Sequence, residues 1–195
     1  MDSTASGWLA RSVCMWYALT WRRVADPSHS PVAQYAMSDS TLVTPGEKIA
    51  IACDHAGLDL KSALKDDLCE MGFAVLDLGV NLPESVDYPD FGRAVAEAIC
   101  NGEARAGVAI CGTGIGISIA ANRYPEIRAA LVHDAFTARL AREHNNANVI
   151  ALGARAIGIE VARDCIRIFF ETLYLGGRHQ RRVRKLSLDS NGQEF

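Results

Sequence analysis

The chain has 195 residues, 49% of them hydrophobic, and a formal net charge of -3 at pH 7. This length is typical of one α/β domain with an appendage, and the slightly negative charge argues against general attraction to nucleic acid or acidic membranes. No apolar run approaches the roughly 18–20 residues that cross a bilayer. The six cysteines include no C-x-x-C pair, a poor pattern for zinc or a disulfide framework. We therefore expect a protein of the reducing cytoplasm without a metal site.

Residues 1–45 differ in composition from the remainder of the chain. They are rich in Ser, Thr and Trp, and they show no sustained periodicity. Val13–Trp21 is apolar, but two arginines follow it, whereas a secretory signal carries its positive charge in front. We expect an extension that is either disordered or upstream of the true start, with Met37 as the candidate initiator. We expect one domain at residues 46–188 and a short tail at residues 189–195.

From residue 48 onwards, apolar runs of strand length alternate with segments of helical spacing. The predicted strands are Lys48–Cys53, Ala74–Leu78, Ala106–Ile110, Arg128–Val132 and Val149–Leu152. The predicted helices are Leu58–Met71, Tyr88–Cys100, 114–122, Ala135–Glu143 and Ile159–Leu175. Strands that alternate with helices of this length indicate right-handed βαβ units. The predicted fold class is therefore α/β, a three-layer sandwich with a five-stranded parallel sheet and helices on both faces.

The first predicted helix has an apolar face. Leu60, Leu64 and Leu68 share it at helical spacing, whereas Lys61 and Lys65 lie elsewhere. We expect the leucines to pack on the sheet and the lysines to lie off the buried face.

The segment Cys111–Ser118, CGTGIGIS, directly follows the third predicted strand. A glycine-rich turn from a strand into a helix offers backbone N–H groups to anions, and a cysteine at such a turn has its thiolate favoured. The spacing lacks the third glycine of the dinucleotide fingerprint and the lysine of a P-loop. Taken alone, the segment is compatible with a structural turn beside a buried cysteine, or with an anion site beside a reactive thiol.

Ligands of parallel sheets bind beyond the carboxyl ends of the strands, where the strand order reverses. If the first and third strands flank that reversal, the loops 54–57 and 111–116 face one another. The first of these loops begins with Asp54 and His55. These side chains would then add a carboxylate and an imidazole to the glycine-rich loop.

Two later segments also have a structural and a functional interpretation. His144–Asn145 ends a predicted helix, where histidine is favoured by the helix dipole. Gly176–Arg182 contains two glycines followed by a concentration of arginines, which is either a helix stop with a solvated basic tail or a site for a small anion.

Together, five segments resemble the ribose-5-phosphate isomerase type B family, and the related galactose-6-phosphate isomerase subunits share much of the pattern. The segments are IACDHAG (51–57), DYPDF (87–91), CGTGIGISIAANR (111–123), REHNNANVIALGAR (142–155) and GGRHQRRV (176–183). The resemblance covers about residues 48–188. It implies a Rossmann-like fold and the interconversion of D-ribose 5-phosphate and D-ribulose 5-phosphate without metal or organic cofactor. It also implies a homodimer or dimer of dimers with active sites between subunits.

The resemblance also implies roles for matching positions. Cys111 would move the proton between C2 and C1, and Thr113 and His144 would help to open the furanose ring. The backbone of residues 112–116 would hold the enediolate oxygens. The other positions would bind sugar hydroxyls or phosphate: Asp54, His55, Tyr88, Gly112, Gly114, Gly116, Asn122, Asn145, Arg155, Arg178 and Arg182.

The residues present bear differently on three alternatives to this reaction. An isomerase of a six-carbon sugar phosphate, such as allose or galactose 6-phosphate, would use the same machinery and stays open. A non-catalytic sugar-phosphate-binding module is disfavoured, because a pure binder has no need of Cys111, Thr113 and His144. An NAD-dependent oxidoreductase is excluded by the glycine spacing and by the lack of a ribose-binding acid after the second strand, since Asp77 lies inside that run.

Overall fold

A computed structural model describes residues 41–186 of the chain, so the predictions for residues 1–40 and for the tail at 189–195 lie outside it. Within the described residues a five-stranded parallel sheet has the strand order β2-β1-β3-β5-β4. Its strands are β1 (Lys48–Cys53), β2 (Ala74–Asp77), β3 (Ala106–Cys111), β4 (Ala129–Leu131) and β5 (Val149–Gly153). The helices are α1 (Leu58–Glu70), α2 (Tyr88–Cys100), α3 (Ile115–Ala121), α4 (Ala135–Asn145), α5 (Ile159–Glu171) and α6 (Arg178–Arg184). The α/β prediction is confirmed.

Side chains alternate between the two faces of the sheet, and each face has its own core layer. Ile49 and Ile51 of β1 pack in the layer that also holds residues of α1, α4 and α5, whereas Ala50 and Ala52 pack in the layer with α2 and α3. All residues of β3 and β5 are buried. Near-continuous apolar strands of this kind are typical of a parallel sheet that is covered on both faces.

The strand order reverses between β1 and β3. The chain leaves β1 towards β2 on one side, and then returns past β1 to form β3 on the other side. The backbone N–H of Asp54, just after β1, donates to the Ile110 carbonyl of β3 at 3.1 Å. The loops that follow β1 and β3 therefore lie next to each other, as the sequence analysis expected for this topology.

Two residues that precede the expected domain boundary at residue 46 pack in the core. Leu42 and Val43 are only 8% and 4% exposed, and they pack in the core layer on the α1 side of the sheet. The backbone N–H of Gly46 donates to the Gly72 carbonyl at 2.8 Å, which ties this entry segment to the end of α1. Two adjacent apolar residues have no periodicity, so their pattern alone did not place them in the core.

The carboxyl-terminal end of the fold differs from its prediction. Helix α5 was expected to reach Leu175, but it ends at Glu171, and Thr172 has an extended backbone. The chain then crosses to α4, where the N–H of Leu175 donates to the Glu143 carbonyl at 3.1 Å. After Gly177 a further helix, α6, forms in the basic segment that was expected to be a helix stop or an anion site. None of the helices formed by residues 41–186 combines the length and apolarity that a bilayer crossing requires.

Candidate active site

The loop after β1 presents a carboxylate and an imidazole. Asp54 is 5% exposed, and its carboxylate accepts the N–H of Ala56 at 2.9 Å, which caps the short 3-10 turn His55–Gly57. His55 is half-buried, and its Nδ1 accepts the N–H of Val86 at 3.3 Å. A neutral imidazole whose Nδ1 accepts a hydrogen bond carries its proton on Nε2. His55 is therefore set up as a hydrogen-bond donor through Nε2.

The loop after β3 holds a buried thiol. Cys111 is the last residue of β3 and 3% exposed, and its Sγ accepts the N–H of Gly114 at 3.1 Å. Gly114 has a φ of +77°, and a Cβ there would lie 2.6 Å from Leu131 Cδ1 and 2.9 Å from the Leu152 carbonyl carbon. Both the left-handed backbone and the lack of space require glycine at this position. The turn that aims an N–H at the sulfur is thus built into the packing of the sheet.

The hydroxyl of Thr113 lies beside this turn. Thr113 is exposed, and its Oγ1 accepts the N–H of Ile115, the first residue of α3, at 3.4 Å. The N–H groups in the first turn of a helix have no acceptor within the helix. Donors at this position can stabilise a negatively charged ligand oxygen.

Two further predicted residues border the glycine loop. The N–H of Arg155, after β5, donates to the Gly112 carbonyl at 3.0 Å, and its Cδ lies 3.7 Å from the point where a Cβ of residue 112 would be. The ring of Tyr88 lies against Gly116, so closely that a side chain at 116 would collide with it. Nine predicted residues therefore meet at the carboxyl edge of the sheet: Asp54, His55, Tyr88, Cys111, Gly112, Thr113, Gly114, Gly116 and Arg155.

Four of the other predicted residues form a second, basic group at the end of α4: His144, Asn145, Arg178 and Arg182. The rings of His144 and His179 stack with centroids 4.2 Å apart and an interplanar angle of 6°. Arg178 Nε donates to His179 Nε2 at 3.3 Å. Burial, followed by the positive charges of His144, Arg178 and Arg182, lowers the pKa of His179. His179 lies in the segment GGRHQRRV (176–183) but had no predicted role. Its position between His144 and Arg178 depends on tertiary packing, which the sequence pattern does not reveal.

The two groups lie at opposite edges of the sheet within one chain. Helix α4 begins after the carboxyl end of β4 and runs back to end at Asn145, which lines a cavity of about 470 Å³ together with Ala129, the first residue of β4. At 1.5 Å per residue, its 11 residues span about 16 Å. Cys111, in contrast, ends its strand at the carboxyl edge. One chain therefore does not bring His144 and Asn145 to Cys111.

Asn122, predicted as a substrate-binding residue, lies at the end of α3 beside the first residue of β4. Its side-chain amide donates to the Ala129 carbonyl at 2.9 Å and its Oδ1 accepts the Ala129 N–H at 2.8 Å. Both polar atoms of the amide thus hold the first residue of β4 to the end of α3. Asn122 also lines the same cavity as Asn145, and its role in substrate binding stays a prediction.

Within residues 41–186 no cluster of three or more His, Cys, Asp or Glu side chains is arranged to hold a metal ion. The chemistry available at the carboxyl edge is that of a thiol, oriented backbone N–H groups, a carboxylate, an imidazole and a guanidinium. Such a set can move a proton and stabilise an oxyanion.

Comparison with known proteins gives a consistent result. The sequence model of the Ribose/Galactose Isomerase family matches residues 49–186. A putative sugar phosphate isomerase of Bacillus subtilis is 45% identical over 72% of this chain and 95% of its own length, and ribose-5-phosphate isomerase B of Escherichia coli is 43% identical over the same shares. The structure of ribose-5-phosphate isomerase B of Clostridium thermocellum superposes with a TM-score of 0.71 at 49% identity, covering 72% of this chain and 95% of that one.

Relatives at similar identity carry other substrate names. A galactose-6-phosphate isomerase subunit of Clostridium acetobutylicum is 44% identical over 70% of this chain and 79% of its own length. A D-erythrulose-4-phosphate isomerase of Pectobacterium atrosepticum is 42% identical over 71% of this chain and 91% of its own length. The similarity therefore spans phosphorylated sugars of different length.

Proposed function

The chain belongs to the ribose/galactose isomerase family and is a sugar-phosphate isomerase, and we propose that it interconverts D-ribose 5-phosphate and D-ribulose 5-phosphate with Cys111 as the base. This assignment makes it an enzyme of the non-oxidative pentose phosphate route in the cytoplasm. The observation that carries the proposal is the Cys111 thiol, buried at the end of β3 with the Gly114 N–H donating to its sulfur at 3.1 Å.

The proposed reaction moves one proton between neighbouring carbons. The Cys111 thiolate takes the proton from C2 of the open-chain aldose, and the electron pair of the C–H bond passes into an enediolate. The thiol then returns the proton to C1, while O1 gains and O2 loses a proton, and the ketose results. The hydrogen bond from the Gly114 N–H fixes the position of the sulfur that begins this cycle.

The glycine loop supplies the second requirement, which is stabilisation of the negative charge on the enediolate oxygens. In this proposal the backbone N–H groups of residues 112–116 are the donors, because glycines let a substrate oxygen approach the backbone closely. Removal of one such donor from an oxyanion site typically costs about 2.7–4 kcal/mol. The loop therefore carries a large part of the expected rate enhancement.

The phosphate is remote from the reacting carbons, and its binding fixes the position of the sugar. Among the residues at the carboxyl edge of the sheet, His55 and Arg155 are the proposed phosphate ligands. Arg178 and Arg182 are the proposed ligands from the basic group, where the planar guanidinium suits bidentate contact with phosphate oxygens. Asp54 and Asn145 are proposed to bind sugar hydroxyls.

Because one chain does not bring the two groups together, the proposed active site requires a dimer. Since His144 lies near the far end of α4, a helix about 16 Å long that begins at the carboxyl edge, we infer that a complete site combines Cys111 and its neighbours from one copy with His144 and its neighbours from a second. Cys111→Ala and His144→Ala are each expected to be inactive alone. Mixed under conditions that exchange subunits, they should recover about one quarter of wild-type activity, because half of the dimers carry one intact site. No recovery in proven heterodimers would contradict a shared site.

The direct test is isomerase activity on D-ribose 5-phosphate, with D-allose 6-phosphate and D-galactose 6-phosphate assayed in parallel. We expect activity on the ribose substrate, and Cys111→Ala should reduce kcat by at least about 10²–10⁴-fold, the usual contribution of a general base. The affinity of the variant for substrate should be largely retained. Activity on a six-carbon phosphate alone would keep the mechanism and change the substrate. Joint loss of binding and turnover would instead make Cys111 structural.

A further inference from the structure

Lys61 is buried in the fold although it carries a charge. Its side chain is 3% exposed, which differs from its predicted position off the buried face of α1. The ammonium donates to Asp77 Oδ1 at 2.7 Å, to the Val80 carbonyl at 3.0 Å and to Asn81 Oδ1 at 3.0 Å. An ammonium has three N–H donors, so each is used. Two of the three acceptors lie in the segment that follows β2.

This segment, residues 78–87, joins β2 to α2 and passes over the end of β1. The Val80 N–H donates to the Cys53 carbonyl at 3.4 Å. A Cβ at Gly79 would lie 2.6 Å from the Cys53 nitrogen and 3.1 Å from Lys61 Cδ, so the backbone there is in close contact with both. The beginning of the segment is therefore held against the residue that precedes Asp54.

The far end of the same segment contacts the active-site group. The Val86 N–H donates to His55 Nδ1 at 3.3 Å, which leaves the imidazole proton on Nε2. Tyr88, two residues later, begins α2 with its ring against Gly116 of the glycine loop. One segment therefore connects the buried ammonium with His55 and Tyr88.

We propose that Lys61 is a positioning residue of the active site, whose ammonium holds segment 78–87 in the conformation that fixes the tautomer and orientation of His55. Hydrogen bonds from a charged donor are stronger than neutral ones, and a buried charge is tolerated only when it is fully paired and bonded. The ammonium thus favours the one path of the segment that satisfies all three donors. The effect on substrate rests on the proposed function, in which His55 binds the phosphate.

Lys65 is a matched control on the same helix. Its Nζ donates to the other oxygen of Asp77, Oδ2, at 2.6 Å, and its side chain is 37% exposed. Lys65→Met removes a lysine from Asp77 but none of the bonds to Val80 and Asn81. Asn81→Ala is the complementary change, since it removes one bond to the segment and leaves the Lys61–Asp77 ion pair in place.

The experiment compares the full-length wild type with Lys61→Met, Asn81→Ala and Lys65→Met. The ¹⁵N spectrum of labelled histidine in the substrate-free protein reports the His55 tautomer, and steady-state kinetics on D-ribose 5-phosphate separate KM from kcat. We expect the Nε2-protonated form in the wild type and Lys65→Met. Lys61→Met should give mixed tautomers and a KM raised about tenfold, equivalent to about 1.4 kcal/mol, and Asn81→Ala a rise of about threefold. In both variants kcat should stay within about twofold, because the thiol is untouched.

A folded Lys61→Met protein with the wild-type tautomer and KM would overturn the proposal, as would an equal change in Lys65→Met. If Lys61→Met does not fold, Asn81→Ala decides, and an unchanged His55 signal in that variant refutes the role of the segment. A wild type inactive on D-ribose 5-phosphate would refute the proposed function. The histidine spectra would still test the role of Lys61 in that case.

Discussion

Replacement of Gly114 by alanine tests whether the packing of the glycine loop aims the N–H at Cys111. The left-handed backbone at +77° costs an L-residue about 1–2 kcal/mol. The added Cβ would also lie 2.6 Å from Leu131 Cδ1 and 2.9 Å from the Leu152 carbonyl carbon, and overpacking of this kind costs about 1–3 kcal/mol. We therefore expect the free energy of unfolding to fall by about 2–5 kcal/mol.

Gly102 provides a matched control for this prediction. Its φ of +73° is close to that of Gly114, but a Cβ there would have no atom within 4 Å. Gly102→Ala should therefore lose only the backbone part, about 1–2 kcal/mol. The difference between the two variants isolates the packing contribution at the loop.

The two variants are compared by urea unfolding and by isomerase kinetics. Only Gly114→Ala moves the donor to the Cys111 sulfur, so only this variant should lose kcat, by about 10-fold or more for a displaced donor. Equal destabilisation by the two substitutions would refute the argument that the loop is tightly packed. Full activity in a destabilised Gly114→Ala protein would refute the link between the loop and the thiol.

Three further changes probe the basic group, the buried ion pair and the amino-terminal boundary. Arg178→Ala should raise KM about 10–100-fold through loss of a charged hydrogen bond to phosphate. Arg181 is an exposed arginine on the same helix, and Arg181→Ala should leave KM unchanged. Equal effects of the two substitutions on KM would contradict a role of α6 in phosphate binding. Burial raises the pKa of Asp77, but hydrogen bonds from two lysines and a backbone N–H outweigh burial, and the pKa is lowered. The ionised carboxylate therefore stabilises the folded state above the ordinary carboxyl pKa of about 4, and this stabilisation is lost as the pH falls below it. In urea unfolding, Asp77→Asn should be less stable than wild type at pH 7, and the gap should narrow below about pH 4; a constant gap would contradict the ion-pair argument. Deletion of residues 1–36 should leave activity and stability unchanged. Deletion of residues 1–45 also removes the buried side chains of Leu42 and Val43, and it should lower the free energy of unfolding by about 1.5–3 kcal/mol for each of them. If the shorter deletion also lowers the free energy of unfolding, the fold extends further towards the amino terminus.

Much of the fold was predictable because parallel strands leave a strong pattern. β1 was predicted with its observed bounds, and β3 was predicted except for Cys111, its last residue. Buried strands are continuously apolar and bounded by polar or glycine residues, so their ends are visible in the sequence. The topological reversal between β1 and β3 then brought the two loops together without knowledge of any side-chain contact.

The features that were missed all depend on contacts between distant residues. Lys61 was expected off the buried face because helical spacing describes only its own helix, yet Asp77 and Asn81 make its burial possible. The two hydrogen bonds between Asn122 and Ala129, at the start of another strand, could not be read from the sequence either. The early end of α5 follows a similar rule, since the chain leaves the helix to bond with α4. Periodicity contains no information about such partners.

The order of the strands also has a consequence for how the chain acquires its structure. The ladders of β3 join residues far apart in the sequence, since Ile49 pairs with Ala106 and Gly107 with Val149. Each pairing requires closure of a long loop before any hydrogen bond is gained, and topologies of this kind fold slowly. Until β5 has been synthesised, one side of the central strand has no partner and presents an apolar edge that favours aggregation. Fragments that stop short of residue 153 should therefore accumulate as insoluble protein, whatever helices they contain.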